Sequence, residues 1–162
     1  MNFGENVAPM FHIVLVEPQI PPNTGNIGRL CIATRSRFHL IKPLGFDISE
    51  KAVRRAGLDY WKHVDLHLHE SYAEFRASLP PEARLFFFTK FAKSTLYEAE
   101  FREGDYLVFG KETTGLPPEV HETEKNLLRI PMPGSDIVRS LNLAGSVHVA
   151  LYEALRQTKA YE

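Results

Sequence analysis

Short apolar runs alternate along the chain with stretches in which apolar residues recur at the spacing of an amphipathic helix. The apolar runs predict strands at residues 12–17, 38–42, 63–68, 84–89, 105–109 and 127–131. The helical pattern predicts a first helix capped by Asn23 or Thr24 and ending near residue 36, and further helices at residues 49–57, 71–79, 116–124 and 140–159. This alternation, with strands that are apolar along their whole length, is typical of an α/β fold with a mostly parallel sheet and helices on both faces.

The predicted final helix is apolar on more than one side. One stripe consists of Leu143, Val147, Leu151 and Ala154. A second apolar region consists of Val149, Tyr152 and Leu155. A helix that covers one core needs only one such stripe, so we expect part of this helix to be buried against another subunit.

Composition limits the classes of function. The chain has 162 residues, and we expect a loose N-terminal extension at residues 1–9 and a single domain at residues 10–162. No signal peptide and no membrane span are recognisable, and the single Cys31 is consistent with a reducing cytoplasm. The net charge of −1 argues against a general polyanion binder but not against a local basic patch.

Three predicted loops follow the carboxyl ends of strands, where ligands bind in parallel α/β sheets. The first, residues 18–29, contains glycines that let the backbone approach a ligand, and its Arg29 points back toward the start of the first helix. It has neither the dinucleotide-binding glycine pattern nor a P-loop. By itself this loop also fits a tight turn with a surface arginine.

The other two loops carry further candidate ligand groups. Residues 107–117 place Glu112 between two glycines, where its carboxylate can accept hydrogen bonds from hydroxyls or an amine. Residues 130–142 offer backbone groups for a planar ring, with Ser140 as a candidate cap of the final helix and Asn142 facing the site. Each loop alone also fits a purely structural turn or cap.

Other polar residues have simpler interpretations. His67 and His69 lie on one face of a predicted strand, but no third metal ligand follows at a suitable spacing, so a solvated strand is favoured. Cys31 lacks a neighbouring base and is interpreted as a small core residue. The basic face made of Lys51, Arg54 and Arg55 is usually solvated, although phosphate contact is an alternative.

Together the three loops resemble the three motifs of the SPOUT (SpoU–TrmD) RNA methyltransferases over about residues 10 to 158. The matching residues are Asn23-x-Gly25-Asn26-x-x-Arg29, Phe109-Gly110-x-Glu112-x-x-Gly115-Leu116-Pro117, and Ile130-Pro131-Met132 followed by Ser140-Leu141-Asn142-Leu143. The opening Glu17-Pro18-x-Ile20-Pro21-Pro22 and the segment Arg54-Arg55-Ala56-Gly57-Leu58-Asp59-Tyr60-Trp61 resemble the TrmL (YibK-like) branch. Residues 134–138 are slightly long for that branch.

The resemblance implies a fold and an activity. The fold is a parallel sheet whose C-terminal part forms a deep trefoil knot, in a homodimer that associates through the final helix. The activity is 2′-O-methylation of the wobble nucleotide, cytidine or uridine 34, in the anticodon stem-loop of tRNA. The cofactor is S-adenosyl-L-methionine, which leaves as S-adenosyl-L-homocysteine, and neither a metal nor a membrane is involved.

The resemblance also assigns roles to residues. Those expected near the reacting ribose are Arg29, Asn142 and Tyr152. Those expected to line the cofactor cleft are Phe88, Gly110, Glu112, Ile130, Ser140 and Leu141. Those expected to contact the RNA are Arg54, Arg55 and Arg139. Tyr152 fits a dimer-interface aromatic equally well. The alternatives are methylation of another tRNA position or of ribosomal RNA, and a non-catalytic RNA-binding protein that keeps the fold.

Overall fold

The computed structural model describes residues 7–49, 51, 55, 58–134 and 136–162. The strands are β1 (His12–Val16), β2 (Arg37–Ile41), β3 (Leu66–His69), β4 (Leu85–Phe88), β5 (Ser94–Thr95), β6 (Tyr106–Phe109) and β7 (Leu127–Arg129). The helices are α1 (Pro21–Ala33), α2 (Tyr72–Ser78), α3 (Pro118–Thr123) and α4 (Leu143–Thr158). Two short 3-10 helices span Leu58–His63 and Leu96–Glu98.

The strands form one seven-stranded sheet in the order β3-β2-β1-β6-β4-β7-β5. Every pairing between neighbouring strands is parallel. The order reverses beside β1, which pairs with β2 on one side and with β6 on the other. The prediction of an α/β fold with a parallel sheet is therefore confirmed. The crevice beyond the carboxyl ends near this reversal is the expected ligand site of such a sheet.

Successive residues of the central strands enter two different cores. In β1, Ile13 and Leu15 pack with α1 and α4, whereas Val14 and Val16 pack with α2 and α3 on the opposite face. The two faces follow from the two-residue repeat of an extended chain. Because both faces are covered, the central strands are apolar throughout, as the sequence indicated.

Several element boundaries differ from those predicted. Helix α1 begins at Pro21, with Ile20 as its N-cap and no side-chain cap, so neither Asn23 nor Thr24 caps it. Prolines are compatible with the first helical turn because its N–H groups have no partner in the helix. The final helix begins at Leu143 and is capped by Asn142 instead of Ser140.

The region before β3 was also predicted inaccurately. Residues 58–63 form a 3-10 helix, so the strand starts at Leu66 and extends to His69. The two-residue strand β5 is too short to give a recognisable pattern. Of the predicted helix at 49–57, residues 50, 52–54, 56 and 57 lie outside the described residues, as do residues 1–6 of the predicted extension and residue 135 of the loop 134–138.

A row of hydrogen-bonded imidazoles crosses β1, β2 and β3 on one face of the sheet. His12 Nδ1 lies 2.9 Å from His39 Nε2, and His39 Nδ1 lies 2.9 Å from His69 Nε2. His12 and His39 are buried, and His12 stacks on Tyr106 at 3.9 Å. Burial, reinforced by the charge of Arg37 and by the neighbouring histidines, lowers the pKa of His12 to about 4 and the pKa of His39 to about 2.

The interpretation of His67 and His69 as residues of a solvated strand holds for His67, whose side chain is 42% exposed, but not for His69. His69 belongs to the imidazole row, and burial lowers its pKa. His67 Nε2 lies 3.0 Å from Asp65 Oδ1. Among the described residues, no group of three or more His, Cys, Asp or Glu side chains is arranged to hold a metal ion. Burial raises the pKa of the Cys31 thiol, in agreement with a core residue that lacks nucleophilic function.

Candidate active site

A cavity of about 540 Å³ opens beyond the carboxyl ends of β4, β6 and β7. Its volume lies within the range of ordinary small-molecule sites. The apolar wall includes Phe88 and Phe109, whose rings stack at 4.7 Å with an interplanar angle of 9°. Ile130 lies on the same cavity surface. This combination of flat apolar rings with strand-end backbone suits a planar heterocycle.

Glu112 joins the first loop to the second. Its carboxylate accepts hydrogen bonds from the backbone N–H groups of Gln19 at 2.8 Å and Ile20 at 3.0 Å, and from the side-chain amide of Asn23 at 3.4 Å. Backbone N–H groups near a helix start have no partner within the helix, and an ionised carboxylate is a strong acceptor for them. Glu112 is therefore a structural link between two loops as well as part of the cavity wall.

Gly110 allows the second loop to fold back on itself. A Cβ atom at this position would lie 2.0 Å from the carbonyl carbon of Gly115 and 2.1 Å from the nitrogen of Leu116. Lys111 and Gly115 exchange backbone hydrogen bonds of 2.9 and 3.2 Å across the turn, and Gly115 has a φ of 74°. Side-chain-bearing residues can satisfy neither the close approach nor the positive φ without strain.

Asn142 joins the third loop to the first. Its Oδ1 accepts a hydrogen bond from the Gly145 N–H at 3.1 Å, which caps α4, and its Nδ2 donates to Asn23 Oδ1 at 3.2 Å. Asn23 is itself buried and bonded to Glu112. A continuous chain of hydrogen bonds thus connects Glu112, Asn23 and Asn142, and it holds the three loops together around the cavity.

The structure brings one predicted group together and separates another. The predicted residues that line the cavity are Phe88, Gly110, Glu112, Ile130, Ser140, Leu141 and Asn142. The predicted residues that do not line it are Arg29, Arg55, Arg139 and Tyr152. All four of the latter are exposed, and Arg54 lies outside the described residues. The residues predicted to line the cofactor cleft all belong to this cavity. Of the described residues predicted to contact ribose or RNA, Asn142 alone lines it.

Arg29 occupies the solvent side of α1. It shares an exposed stripe with Pro22, Asn26 and Ala33, while Asn23 faces the protein interior. Six residues separate Asn23 from Arg29, which is roughly 9 Å along a helix axis. The guanidinium carbon of Arg29 lies 5.4 Å from the ring centroid of Tyr60. Within one subunit Arg29 is therefore not part of the cavity wall.

Sequence reasoning missed the loop that follows β4. Thr89, Lys90 and Phe91 line the cavity, together with His121 from α3. His121 Nε2 lies 2.8 Å from Thr89 Oγ1. The available signal was the predicted strand at 84–89, because its carboxyl end belongs to the same edge of the sheet as the other three loops.

Helices α1 and α4 pack against each other and begin at the same end of the molecule, where Asn23 and Asn142 are hydrogen-bonded. The exposed side of α4 presents Gly145, Val149 and Tyr152, of which Val149 is 41% and Tyr152 54% exposed. Neighbouring apolar side chains exposed on one helix face form a patch of the kind that marks interaction sites when it is large. No helix among the described residues has both the length and the apolar character of a membrane-crossing segment.

Similarity to known proteins agrees with the motifs. The profile described as the SpoU rRNA Methylase family matches residues 10–152. A tRNA (cytidine(34)-2′-O)-methyltransferase of Saccharophagus degradans is 50% identical over 151 residues, covering 91% of this chain and 96% of that protein. One of Polaromonas sp. is 47% identical over 149 residues, covering 91% of each.

A solved structure gives the same result for the fold. That structure, concerned with 2-OH methylation of C/U34 on tRNA, superposes with a TM-score of 0.88 at 55% identity. The match covers 92% of this chain and 96% of that one. The matched range includes every motif residue from Asn23 to Tyr152 that carried the resemblance. The chain belongs to the SpoU rRNA methylase family.

Proposed function

We propose that the protein transfers a methyl group from S-adenosyl-L-methionine to the ribose 2′-oxygen of nucleotide 34, cytidine or uridine, in tRNA. The observation that carries this proposal is the single cavity formed by the three motif loops and linked through Glu112, Asn23 and Asn142. The relatives of similar length that carry this activity in their names support the choice of substrate. Because the proposed substrate is tRNA, we place the protein in the cytoplasm.

The cavity fits the proposed cofactor in size and in chemistry. The stacked rings of Phe88 and Phe109, with Ile130, provide an apolar surface for an adenine. Glu112 adds a negative charge at the wall, which suits a cationic ligand. Lys90 at the same wall suits a ligand carboxylate, whereas Lys111 is already paired with Glu17 at 3.8 Å. When bound, S-adenosyl-L-methionine supplies a methyl group attached to a positively charged sulfur, so the reaction requires no metal.

A second subunit would complete the site. Arg29 lies on the exposed side of α1, and Val149 and Tyr152 lie on the exposed side of the adjacent helix α4. We propose that a second copy of the chain covers this surface and that the dimer forms through α4. Such an arrangement removes Val149 and Tyr152 from water, and it allows Arg29 of one subunit to approach the cavity of the other.

The guanidinium of Arg29 can bind and stabilise negative charge, but it cannot act as a base. A guanidinium remains protonated in proteins, so it cannot remove the proton of the ribose hydroxyl. Its planar set of donors can bind an RNA phosphate in bidentate fashion and stabilise negative charge that develops on the 2′-oxygen. Proton removal then falls to the phosphate or to water.

Asn142 and Tyr152 would orient the ribose. The Asn142 amide uses one N–H for Asn23 and one oxygen lone pair for Gly145, which leaves a second N–H available for a sugar hydroxyl. Tyr152 presents a hydroxyl and a ring from the exposed face of α4. Arg55 and Arg139 are exposed cations suited to phosphate contact, and Arg54 is included with them on sequence grounds alone.

The test is transfer of a tritiated methyl group to total tRNA and, in a parallel reaction, to ribosomal RNA, followed by mapping of the modified nucleotide. We expect label at the 2′-oxygen of nucleotide 34. Arg29→Lys should be nearly inactive because a point charge cannot replace the planar guanidinium, whereas the exposed control Arg102→Lys should retain activity. Label at another tRNA position or only in ribosomal RNA would replace the proposed substrate. RNA binding without any methyl transfer would indicate a non-catalytic binding protein.

A further inference from the structure

The aromatic ring of Tyr60 lies beneath the guanidinium of Arg29. The guanidinium carbon is 5.4 Å from the Tyr60 ring centroid, within the range of a cation–π interaction. Within the described part of the chain, Arg29 has no ion pair and no side-chain hydrogen bond. Tyr60 is therefore the one described side chain that restrains the guanidinium by a specific interaction.

The position of Tyr60 follows from a tight contact one residue away. The 3-10 helix Leu58–His63 packs against α1, and the Trp61 ring lies where a Cβ atom on Gly28 would be, 2.6 Å from Cζ3. Only glycine at residue 28 allows this close packing. Trp61 thus anchors the 3-10 helix against α1 at Gly28. The preceding residue of the 3-10 helix, Tyr60, then lies beside Arg29, which follows Gly28 in α1.

A ring contact restrains an arginine differently from a carboxylate. A carboxylate would occupy the N–H donors that Arg29 needs for an RNA phosphate. An aromatic ring attracts the cation without accepting conventional hydrogen bonds from it, so the five N–H groups stay available for the RNA. Restriction of a long side chain before binding removes part of the entropy loss that ordering it would otherwise cost.

We propose that Tyr60 is a positioning residue that pre-orients Arg29 for the ribose-phosphate of the RNA. The proposal rests on the function of Arg29 proposed above. This role requires the aromatic ring of Tyr60 and not its hydroxyl, because the guanidinium of Arg29 lies over the face of the ring. Tyr60 is 46% exposed, so the restraint is modest and its removal should weaken turnover without abolishing it.

The experiment compares Tyr60→Phe, which keeps the ring, with Tyr60→Leu, which removes it. Tyr97→Leu is the matched control, since Tyr97 is an exposed tyrosine in the 3-10 helix Leu96–Glu98, which directly follows the edge strand β5. We expect Tyr60→Leu to lower kcat for tRNA methylation about two- to fivefold with unchanged affinity for S-adenosyl-L-methionine. Tyr60→Phe and Tyr97→Leu should both keep the kcat of the unmodified protein.

A second measurement does not depend on methyl transfer. The order parameter of the Arg29 Nε–H group, measured by nitrogen-15 relaxation on the full chain, should fall in Tyr60→Leu and stay unchanged in Tyr60→Phe. An unchanged order parameter in Tyr60→Leu would overturn the proposal, as would a Tyr60→Phe protein that is as slow as Tyr60→Leu. If the unmodified protein methylates no RNA, the proposed function fails while the order parameters still decide whether Tyr60 restrains Arg29.

Discussion

The row of buried imidazoles makes the stability of the fold depend on pH in the range where histidine titrates. His12 and His39 stay neutral in the folded protein, because burial lowers the pKa of His12 to about 4 and that of His39 to about 2. In the unfolded chain both should titrate near the ordinary value of about 6.5. Stability is therefore fully present above pH 7 and is lost as pH falls from about 6.5 toward 4, since only the unfolded chain gains protons there.

The magnitude follows from proton linkage. Each histidine that charges only on unfolding adds about 1.4 kcal/mol per pH unit to the slope of the unfolding free energy. Between pH 8 and pH 5 this corresponds to about 2 kcal/mol for His12 and about the same for His39. His69, whose pKa is also lowered by burial, adds to the loss.

The assay is urea unfolding at a fixed protein concentration at half-unit steps from pH 8 to pH 5. We expect the unfolding free energy to fall by about 4 kcal/mol or more over that range, with the steepest loss below pH 6.5. In His39→Gln the slope of the unfolding free energy against pH should be smaller by about 1.4 kcal/mol per pH unit, which is the contribution of one proton. A loss below about 1 kcal/mol, or an identical slope in His39→Gln, would refute the assignment of neutral buried histidines.

Three substitutions and one control substitution test the loops and the exposed helix face. Gly110→Ala should prevent stable folding, because its Cβ would lie 2.0 Å from a Gly115 backbone atom, whereas Gly134→Ala meets nothing within 4 Å and should melt normally. Glu112→Gln should lower the unfolding free energy by about 2 kcal/mol, since a neutral amide cannot accept all three hydrogen bonds, and an unchanged urea midpoint would contradict this. The added Cβ of Gly145→Ala meets nothing within 4 Å, so an isolated subunit should tolerate it, and weaker association in ultracentrifugation is expected only if a second copy packs on α4.

Part of the site was visible in the local sequence. Gly110 lies at a sharp reversal, where a glycine is a local signal, whereas the contact between Glu112 and Gln19 joins residues 93 positions apart and was not predicted. The parallel sheet was equally predictable, because strands covered on both faces are apolar throughout. The trefoil knot and the single domain at residues 10–162 stay predictions.

Other features depended on contacts between distant segments. The sequence indicated Ser140 as the cap of the final helix, whereas Asn142 caps it and also donates a hydrogen bond to Asn23, which is 119 residues away. His39 and His69 are thirty residues apart, so their hydrogen bond has no local sequence signal. Likewise, nothing near Arg29 indicated that its guanidinium would lie over the Tyr60 ring and outside the cavity wall.

The position of β7 determines when the site can exist during synthesis. This strand lies between β4 and β5, both of which precede it in the chain, so a ribosome-bound fragment ending before residue 127 has a gap at that edge of the sheet. Such a fragment also lacks Ile130 and Asn142, which form one wall of the cavity. A nascent chain therefore cannot complete this cavity until nearly all of its residues have emerged.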